Sequence, residues 1–264
     1  MIFLPIGLAA VAVILFFTSR GQGKKALDIG STETSTAAGL AVEASDVAKE
    51  IGVGSFTKVA ELKGTVECSS PLKSEMSDTQ CVWYRSTVER EYEETYTERS
   101  SDGSSHTGTR RGSETVSSNE RKTPFMVRDE TGALEVDPEG APIDGVRVLS
   151  KFEQGDRGPA ISIGGFRLSL GAIGSGRRTL GYKLEEWALP IGTRVYVLGE
   201  ARDDGGRLRV CKPATKGGRF IISVKSEEQL LKSAKSGSNT MAIISAVCLA
   251  GAVVTLVLIL VGVL

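Results

Sequence analysis

MAIISAVCLAGAVVTLVLILVGVL, residues 241–264, contains no charged side chain, and 14 of its 24 residues are Leu, Ile or Val. A helix needs about 20 apolar residues to cross a hydrocarbon core of roughly 30 Å. Each Leu, Ile or Val favours insertion by roughly 0.3–0.6 kcal/mol, so these residues together contribute about 4–8 kcal/mol. A stretch of this length that is apolar on every side is typical of a membrane span, and less often of a buried helix in a soluble protein. We therefore predict a transmembrane helix over residues 239–264.

A second apolar run occupies residues 2–17 and is followed by Arg20, Lys24 and Lys25. A secretory signal peptide has its positive charges before the apolar run and small residues at a cleavage site after it. The reverse order here predicts a retained transmembrane helix over residues 1–19, with a cleaved signal peptide as the alternative. The chain is thus expected to be a multi-pass integral membrane protein with two spans in a lipid bilayer.

The region between the spans divides into a linker over residues 20–35 and a domain over residues 36–238. Basic residues flank this region at both ends, since Lys225, Lys232 and Lys235 precede the second span. Segments rich in Lys and Arg beside a span usually stay in the cytoplasm. The domain is therefore predicted to be cytoplasmic, with both termini outside.

The residues 36–51 show the periodicity of an amphipathic helix. Apolar residues ending with Ile51 recur at the i, i+3, i+4, i+7 spacing, Ser35 or Thr36 can cap the start, and Gly52 suits the end. We expect its alanine-rich face to pack on a sheet. An interfacial membrane helix is the alternative, but that reading requires the basic and bulky residues that this helix lacks.

After this helix the sequence changes to short runs typical of strands, separated by turns. The predicted strands cover residues 56–60, 65–68, 81–96, 123–127, 133–136, 146–152, 160–170, 194–199, 208–211 and 220–224. A single helix followed by many strands predicts a mainly β (α+β) fold, with an antiparallel sheet or barrel-like domain. Near its end, Ser226 and Gln229 predict a capping box for a helix that runs directly into the second span.

Residues 97–115 contain no aliphatic or aromatic side chain. Such a segment buries too little surface to offset the entropy lost on ordering. We therefore predict a mobile loop over residues 97–122. In the strand before it, Tyr92 and Tyr96 are expected to share one face, and Glu91 and Glu93 the other.

The cysteines and the single histidine restrict the chemistry. Cys248 lies within the predicted span, and Cys68, Cys81 and Cys211 form no C-x-x-C pair, which argues against a zinc ribbon or finger. In a reducing cytoplasm these thiols are expected to be free, whereas Cys68 and Cys81 could pair in an oxidising compartment. His106 is the only histidine and lies in a segment rich in Ser, Gly and Thr, which argues against histidine-dependent metal sites and against Ser–His or Cys–His catalysis.

Charge balance and two local patterns argue against other functions. Lys and Arg number 32, as do Asp and Glu, so the chain lacks the basic excess of a nucleic-acid binder. The GAIGSG sequence at residues 171–176 lacks the lysine and hydroxyl of a phosphate-binding loop. Glu185 and Glu186 are adjacent, but neighbours in a strand point to opposite faces. We predict no catalytic, cofactor-binding or metal-binding residues, and no cofactor.

Several local patterns, taken in order, resemble one known family. They are VAELKGTV (59–66), SPLKSE (70–75), CVWYR (81–85), PFMVRDETG (124–132), LPIGTRVYVLGEA (189–201) and FIIS (220–223). The family comprises the membrane-anchored E3 ubiquitin ligases of the mitochondrial and chloroplast type, whose central region is called the GIDE or "beside a membrane" (BAM) domain. The resemblance covers about residues 36–264 and includes the order span, domain, span.

Ligases of this family carry a zinc-binding RING after the second span, whereas this sequence ends at Leu264. The resemblance therefore implies a form without the RING. It implies a domain that recruits a protein partner or ligand at the membrane, without enzymatic activity of its own. The alternative is a ubiquitin-ligase component that acts with a separate RING subunit. A homo-oligomer through the second span is a further expectation, because Ala246 and Ala250 have the small-xxx-small spacing.

Overall fold

The computed structural model describes residues 3–99, 103–155, 160–163, 165–169 and 177–261. Its helices are α1 (Phe3–Ser31), α2 (Ala37–Ile51) and α3 (Glu227–Leu260). Its strands, in chain order, are β1 (Thr57–Glu67), β2 (Leu72–Lys73), β3 (Gln80–Arg99), β4 (Ser105–Lys122), β5 (Phe125–Arg128), β6 (Ala133–Val136), β7 (Ile143–Asp144), β8 (Val146–Gln154), β9 (Ala160–Ile163), β10 (Phe166–Ser169), β11 (Arg177–Pro190), β12 (Arg194–Asp204), β13 (Arg207–Cys211) and β14 (Ile221–Ser223). The predicted mainly β fold is confirmed.

Five strands close into a barrel around the main hydrophobic core. β1 pairs with β5, β5 with β6, β6 with β13, β13 with β12, and β12 again with β1. Only the β6–β13 pair in this ring is parallel. The side chains pointing inward include Leu62, Val66, Val127, Val136, Val197 and Val210. β14 and β7 extend from β12 outside the ring.

Two strands were predicted over residues 56–60 and 65–68, but the structure has one continuous strand there, β1 (Thr57–Glu67). Gly64 lies in its middle, where the backbone of β5 approaches closely. A Cβ atom at Gly64 would lie 2.4 Å from the carbonyl oxygen of Arg128. Glycine is therefore required there by the close approach of two strands, and it does not mark a turn.

A second sheet is open and contains β8, β11, β3 and β4 in that order, with β2 beside the start of β3. β3 joins the two sheets, because Val82 and Trp83 belong to the barrel core. Farther along, one face of the open sheet is covered by residues 74–79 and by the β9–β10 hairpin. This smaller core contains Met76, Val88, Tyr182 and Leu184, with Ile163 and Phe166 packed against it.

The prediction of a mobile loop over residues 97–122 is wrong, because residues 97–99 belong to β3 and residues 105–122 form β4. β3 continues to Arg99 and β4 begins at Ser105, and these two residues pair at the end of a long hairpin. The apolar content of the segment itself does not account for its order. Its cross-strand contacts come from β3, where Tyr92, Tyr96 and several charged side chains lie opposite β4.

The amphipathic helix α2 forms as predicted. Thr36 Oγ1 accepts a hydrogen bond from the Gly39 amide, and Ala37, Leu40 and Ala44 are buried in the barrel core. Ile51, however, is 69% exposed, contrary to its predicted place on the buried face. Periodicity gives the direction of a side chain around the helix axis, but not how far the facing surface extends along that axis.

Both terminal helices are long and apolar enough to cross a membrane, over Ile6–Ser31 in α1 and Glu227–Ile259 in α3. Residues 20–31, predicted as part of a linker, continue α1 without a break. This stretch has no proline, and it contains good helix formers such as Lys, Ala and Leu. α3 begins with the predicted capping box of Ser226 and Gln229 and runs directly into its apolar part.

α1 and α3 pair as antiparallel helices. Ser19 Oγ donates to the carbonyl oxygen of Ser238 at 2.9 Å, and Ser245 Oγ donates to that of Ala12 at 2.8 Å. The pair packs against the outside of the barrel through Ile29, Tyr196, Leu198, Ile221 and Leu230. The two helices therefore leave the barrel side by side.

Candidate interaction site

The adjacent carboxylates Glu185 and Glu186 lie on opposite faces of β11. Glu185 forms ion pairs with Arg147 at 3.3 Å and Lys183 at 3.1 Å. Glu186 is fully buried on the other face. The two carboxyl groups therefore do not act together as an acid and a base.

Glu186 is held by neutral donors alone. Its carboxylate accepts hydrogen bonds from the hydroxyls of Ser74, Ser77 and Ser86 and from the amides of Met76 and Ser77, at 2.6–2.9 Å. Burial by itself raises the pKa of this carboxyl, but these hydrogen bonds outweigh it and hold the pKa below its usual value. Glu186 is thus an ionised anchor for residues 74–77, with its oxygen atoms occupied and no access to a substrate.

The cysteines are free thiols in the structure. Burial, followed by the nearby charge of Glu186, raises the pKa of Cys81 to about 11. Burial also raises the pKa of Cys211. Because the thiolate is the nucleophile, neither residue is suited to a thioester relay near neutral pH.

The GAIGSG segment at residues 171–176 lies outside the described residues. Across the described ranges, no group of three or more His, Cys, Asp or Glu side chains is arranged to hold a metal ion.

The most distinctive surface lies on the β3–β4 hairpin. Tyr92 is paired with Gly112, and Tyr96 is paired with Gly108. Each tyrosine ring covers the glycine opposite, because a Cβ atom at Gly112 would lie 2.7 Å from the Tyr92 hydroxyl and one at Gly108 would lie 2.9 Å from the Tyr96 ring. A ring placed over a cross-strand glycine compensates for the missing side chain.

Arginine and glutamate side chains alternate with these rings on the same face. Arg177 pairs with Glu94 at 2.8 Å and lies 4.5 Å from the centre of the Tyr92 ring. Arg110 also binds Glu94 and lies 6.0 Å from the centre of the Tyr96 ring. We call Tyr92, Glu94, Tyr96, Arg110 and Arg177 the hairpin surface. Hydrogen bonds from Arg110 and Arg177 hold the pKa of Glu94 below its usual value.

The base of the hairpin surface is rigid and its outer end is open. At the base, Arg90 is only 2% exposed and donates to Thr179, to Glu114 and to the carbonyl oxygen of Arg177. At the outer end, Tyr96 is 42% exposed. Within the described residues, β11 pairs with β3 as far as Glu94, and β3 and β4 stay paired with each other out to Arg99 and Ser105. An aromatic ring and a cation are therefore presented on a supported extension.

A second polar cluster joins the barrel to the helix pair. The buried Glu61 accepts hydrogen bonds from Thr34 at 2.7 Å and from Tyr196 at 2.8 Å. Lys63 lies 3.0 Å from Glu61 and 2.7 Å from Glu227 at the start of α3. Burial lowers the pKa of Lys63, but the hydrogen bonds to Glu227 and Glu61 outweigh this and raise it. The cluster fixes the start of α3 relative to the barrel.

Residues 93–258 match the GIDE family model, described as E3 ubiquitin ligase. This match covers more than half of the chain. The chain belongs to the GIDE family. The match includes the outer part of the hairpin surface and most of α3. No curated protein and no solved structure matches the chain.

Several of these features were missed from the sequence. Glu186 and its donors are separated by about a hundred positions, so no local pattern connects them. The tyrosine–glycine pairs did leave a signal, because the four-residue spacing of Tyr92 and Tyr96 equals that of Gly108 and Gly112. Equal spacing on two segments in opposite order is what an antiparallel hairpin requires.

Proposed function

We propose that the chain is a two-span membrane protein whose β-rich domain recruits a protein partner at the membrane surface. The observation that carries this proposal is the open outer end of the hairpin surface, with exposed Tyr96 beside Arg110. Tyrosine and arginine are the side chains most often enriched at the energetic centres of protein interfaces. The rigid base around Arg90 lowers the entropy lost when a partner binds.

The hairpin surface offers a protein partner both apolar and charged contacts. A carboxylate of the partner can compete with Glu94 for Arg110, while an apolar side chain packs on the Tyr96 ring. β4 offers a further element, since its outer edge pairs with no strand in the described part of the chain. An extended segment of the partner can add to that edge.

The test compares two neighbouring arginines on opposite faces of the hairpin. Arg110 is 67% exposed on the hairpin surface, and Arg111 is 77% exposed on the other face. Both Arg110→Ser and Arg111→Ser remove one exposed charge, so both variants should fold equally well. With a photo-crosslinker near the hairpin in native membranes, Arg110→Ser should reduce the yield of a discrete crosslinked protein about tenfold, as an interface hot spot requires. An equal effect of both variants, or none, would show that this face does not recognise the partner.

The predicted topology has its own test. A cysteine introduced at Gly103, in the turn of the hairpin, should react with a membrane-impermeant maleimide only from the cytoplasmic side. A cysteine-free background with the same substitution excludes labelling of Cys68. Labelling only from the outside would reverse the proposed orientation.

A second function is favoured by the GIDE match itself. The chain would be a component of a ubiquitin ligase and would act with a separate RING subunit. A RING protein should then copurify, and its addition to the purified chain, activating enzyme, conjugating enzyme, ubiquitin and ATP should increase ubiquitin conjugates. Conjugate formation unaffected by the chain would contradict this function, while leaving partner recruitment to the crosslinking test.

A further inference from the structure

A pocket of about 340 Å³ lies where the helix pair meets the barrel. Its walls come from α1, α3 and the paired strands β7 and β14. The polar groups that line it are Gln22, Lys25, Asp144, Ser223, Lys225 and Ser233. Small residues in α3 keep it open, and a Cβ atom added at Gly237 would meet no other atom within 4 Å.

The pocket lies at the expected level of lipid headgroups. The apolar parts of the two helices end at Phe17 in α1 and begin at Met241 in α3. With a rise of about 1.5 Å per residue, Gln22 lies about 8 Å beyond Phe17 and Gly237 about 6 Å before Met241. A headgroup layer is about 5–8 Å thick on each side of the hydrocarbon core. The membrane-side end of the pocket therefore opens into that layer.

The charged residues that line the pocket are Lys25, Lys225 and Asp144, and the adjoining segments of α1 and α3 are mainly positive. Residues 18–30 and 231–240 contain five basic side chains and one acidic side chain, Asp28. Asp28 is paired with Arg219 at 2.8 Å, so it does not offset the charge of the pocket.

Within the pocket, one lysine is free to bind a ligand. Asp144 is paired with Lys225 at 2.8 Å and also accepts a hydrogen bond from Ser223 at 3.0 Å. Lys25 has no ion-pair partner among the described residues. A half-buried ammonium beside amide and hydroxyl donors is suited to a phosphate oxygen.

We propose that this pocket binds the phosphate of an anionic membrane lipid, with Lys25 contacting the phosphate. Phosphate chemistry can be supplied by a lipid headgroup or by free phosphate, and the position of the pocket favours the lipid. This inference rests on the two spans in the proposed function, and it is independent of partner recruitment.

The chain offers a matched control. Lys24 directly precedes Lys25 on α1 and carries the same charge, but it is exposed and does not line the pocket. A general attraction between basic residues and an anionic membrane would be weakened equally by Lys24→Gln and Lys25→Gln. Binding of a phosphate in the pocket should instead be weakened by Lys25→Gln and not by Lys24→Gln.

The experiment uses the full chain in neutral detergent micelles. Native mass spectrometry counts bound phosphatidylglycerol and phosphatidylcholine, and thermal unfolding is followed with each lipid or with inorganic phosphate. Phosphatidylglycerol should bind selectively and raise the unfolding temperature, and Lys25→Gln should weaken its binding roughly fivefold to tenfold, as expected for one lysine contact. Lys24→Gln should bind like the unchanged protein.

Equal weakening by the two variants, or equal binding of both lipids, would overturn the proposal. If inorganic phosphate stabilises the chain as much as phosphatidylglycerol does, the ligand is free phosphate, and the proposal of a lipid ligand is wrong. If Lys25→Gln unfolds, Lys25→Arg keeps the charge and should retain selective binding. Extraction of the chain from membranes by alkaline carbonate would contradict the two spans, whereas a retained chain without lipid selectivity contradicts only the pocket.

Discussion

The two ends of β3 lie in contrasting surroundings. Cys81, Val82, Trp83 and Tyr84 are all buried, whereas residues 95–99 are all exposed. At the barrel end, stability comes from apolar surface removed from water. At the hairpin end, it comes from ion pairs and aromatic contacts that water and salt weaken. The same strand therefore has a rigid part that holds the fold and an outer part that is available for binding.

The largest loss of stability is expected from a charge introduced at the barrel end of β3. Val82→Asp would bury a charge without a partner, and it should cost about 4 kcal/mol or more of unfolding free energy. Thr97→Asp places the same charge at the exposed end of β3 and should change stability by less than about 0.5 kcal/mol. Denaturant unfolding in micelles, followed by tryptophan fluorescence, measures both. Similar losses would show that the two ends do not differ as described.

An intermediate effect is expected where the open sheet is covered. Glu186→Gln replaces one acceptor oxygen by a donor that faces the amide and hydroxyl donors, and it should cost about 2–4 kcal/mol at pH 7. Glu185→Gln makes the same change on the exposed face and should cost less than about 1 kcal/mol. The same unfolding measurement compares them. A cost for Glu186→Gln no greater than for Glu185→Gln would contradict its role as an anchor.

The effect of Glu186 should also depend on pH. Its pKa is lower in the folded chain than the ordinary value of 4.5, so the unfolded state binds more protons between these two values. Its contribution is complete above that ordinary value and is lost as the pH falls through the lowered pKa. The stability difference between the unchanged protein and Glu186→Gln should therefore shrink on acidification. A difference that stays constant down to the acid transition would disprove this.

The smallest effect is expected on the hairpin surface. Tyr92→Ala removes a cross-strand ring and should cost about 0.5–1 kcal/mol, as such pairs typically do. Tyr96→Ala, farther out and without the contact to Arg177, should cost less. Thermal unfolding and amide exchange along β4 measure both changes. A loss above about 2 kcal/mol would place the hairpin within the cooperative core rather than outside it.

The sequence predicted the local features of this fold well. The capping residue Thr36, the final Gly52 and the regular apolar spacing specify α2, and continuous apolar runs specify the two candidate spans. Ser226 and Gln229 specify the start of α3. In each of these cases the determining residues lie within a few turns of one another.

The features that the sequence left open or missed depend on contacts between distant segments. Closure of the barrel depends on the register of β1 with β12, and the buried ionised state of Glu186 depends on donors brought from residues 74–77 and 86. β4 was missed because its ordering contacts belong to β3. Whether the domain boundaries lie at residues 36 and 238 remains a prediction.

The antiparallel pairing of α1 and α3 has a consequence for synthesis. Ser19 and Ser238 are in contact although 219 positions separate them. At a translation rate of about 5–20 residues per second, α1 waits roughly 10–40 s for its partner helix. β1 likewise waits for β12, so the barrel and the helix pair are both completed in the last part of translation. During that interval the half-made chain exposes one unpaired apolar helix and an open barrel, which makes this the period of greatest need for chaperones.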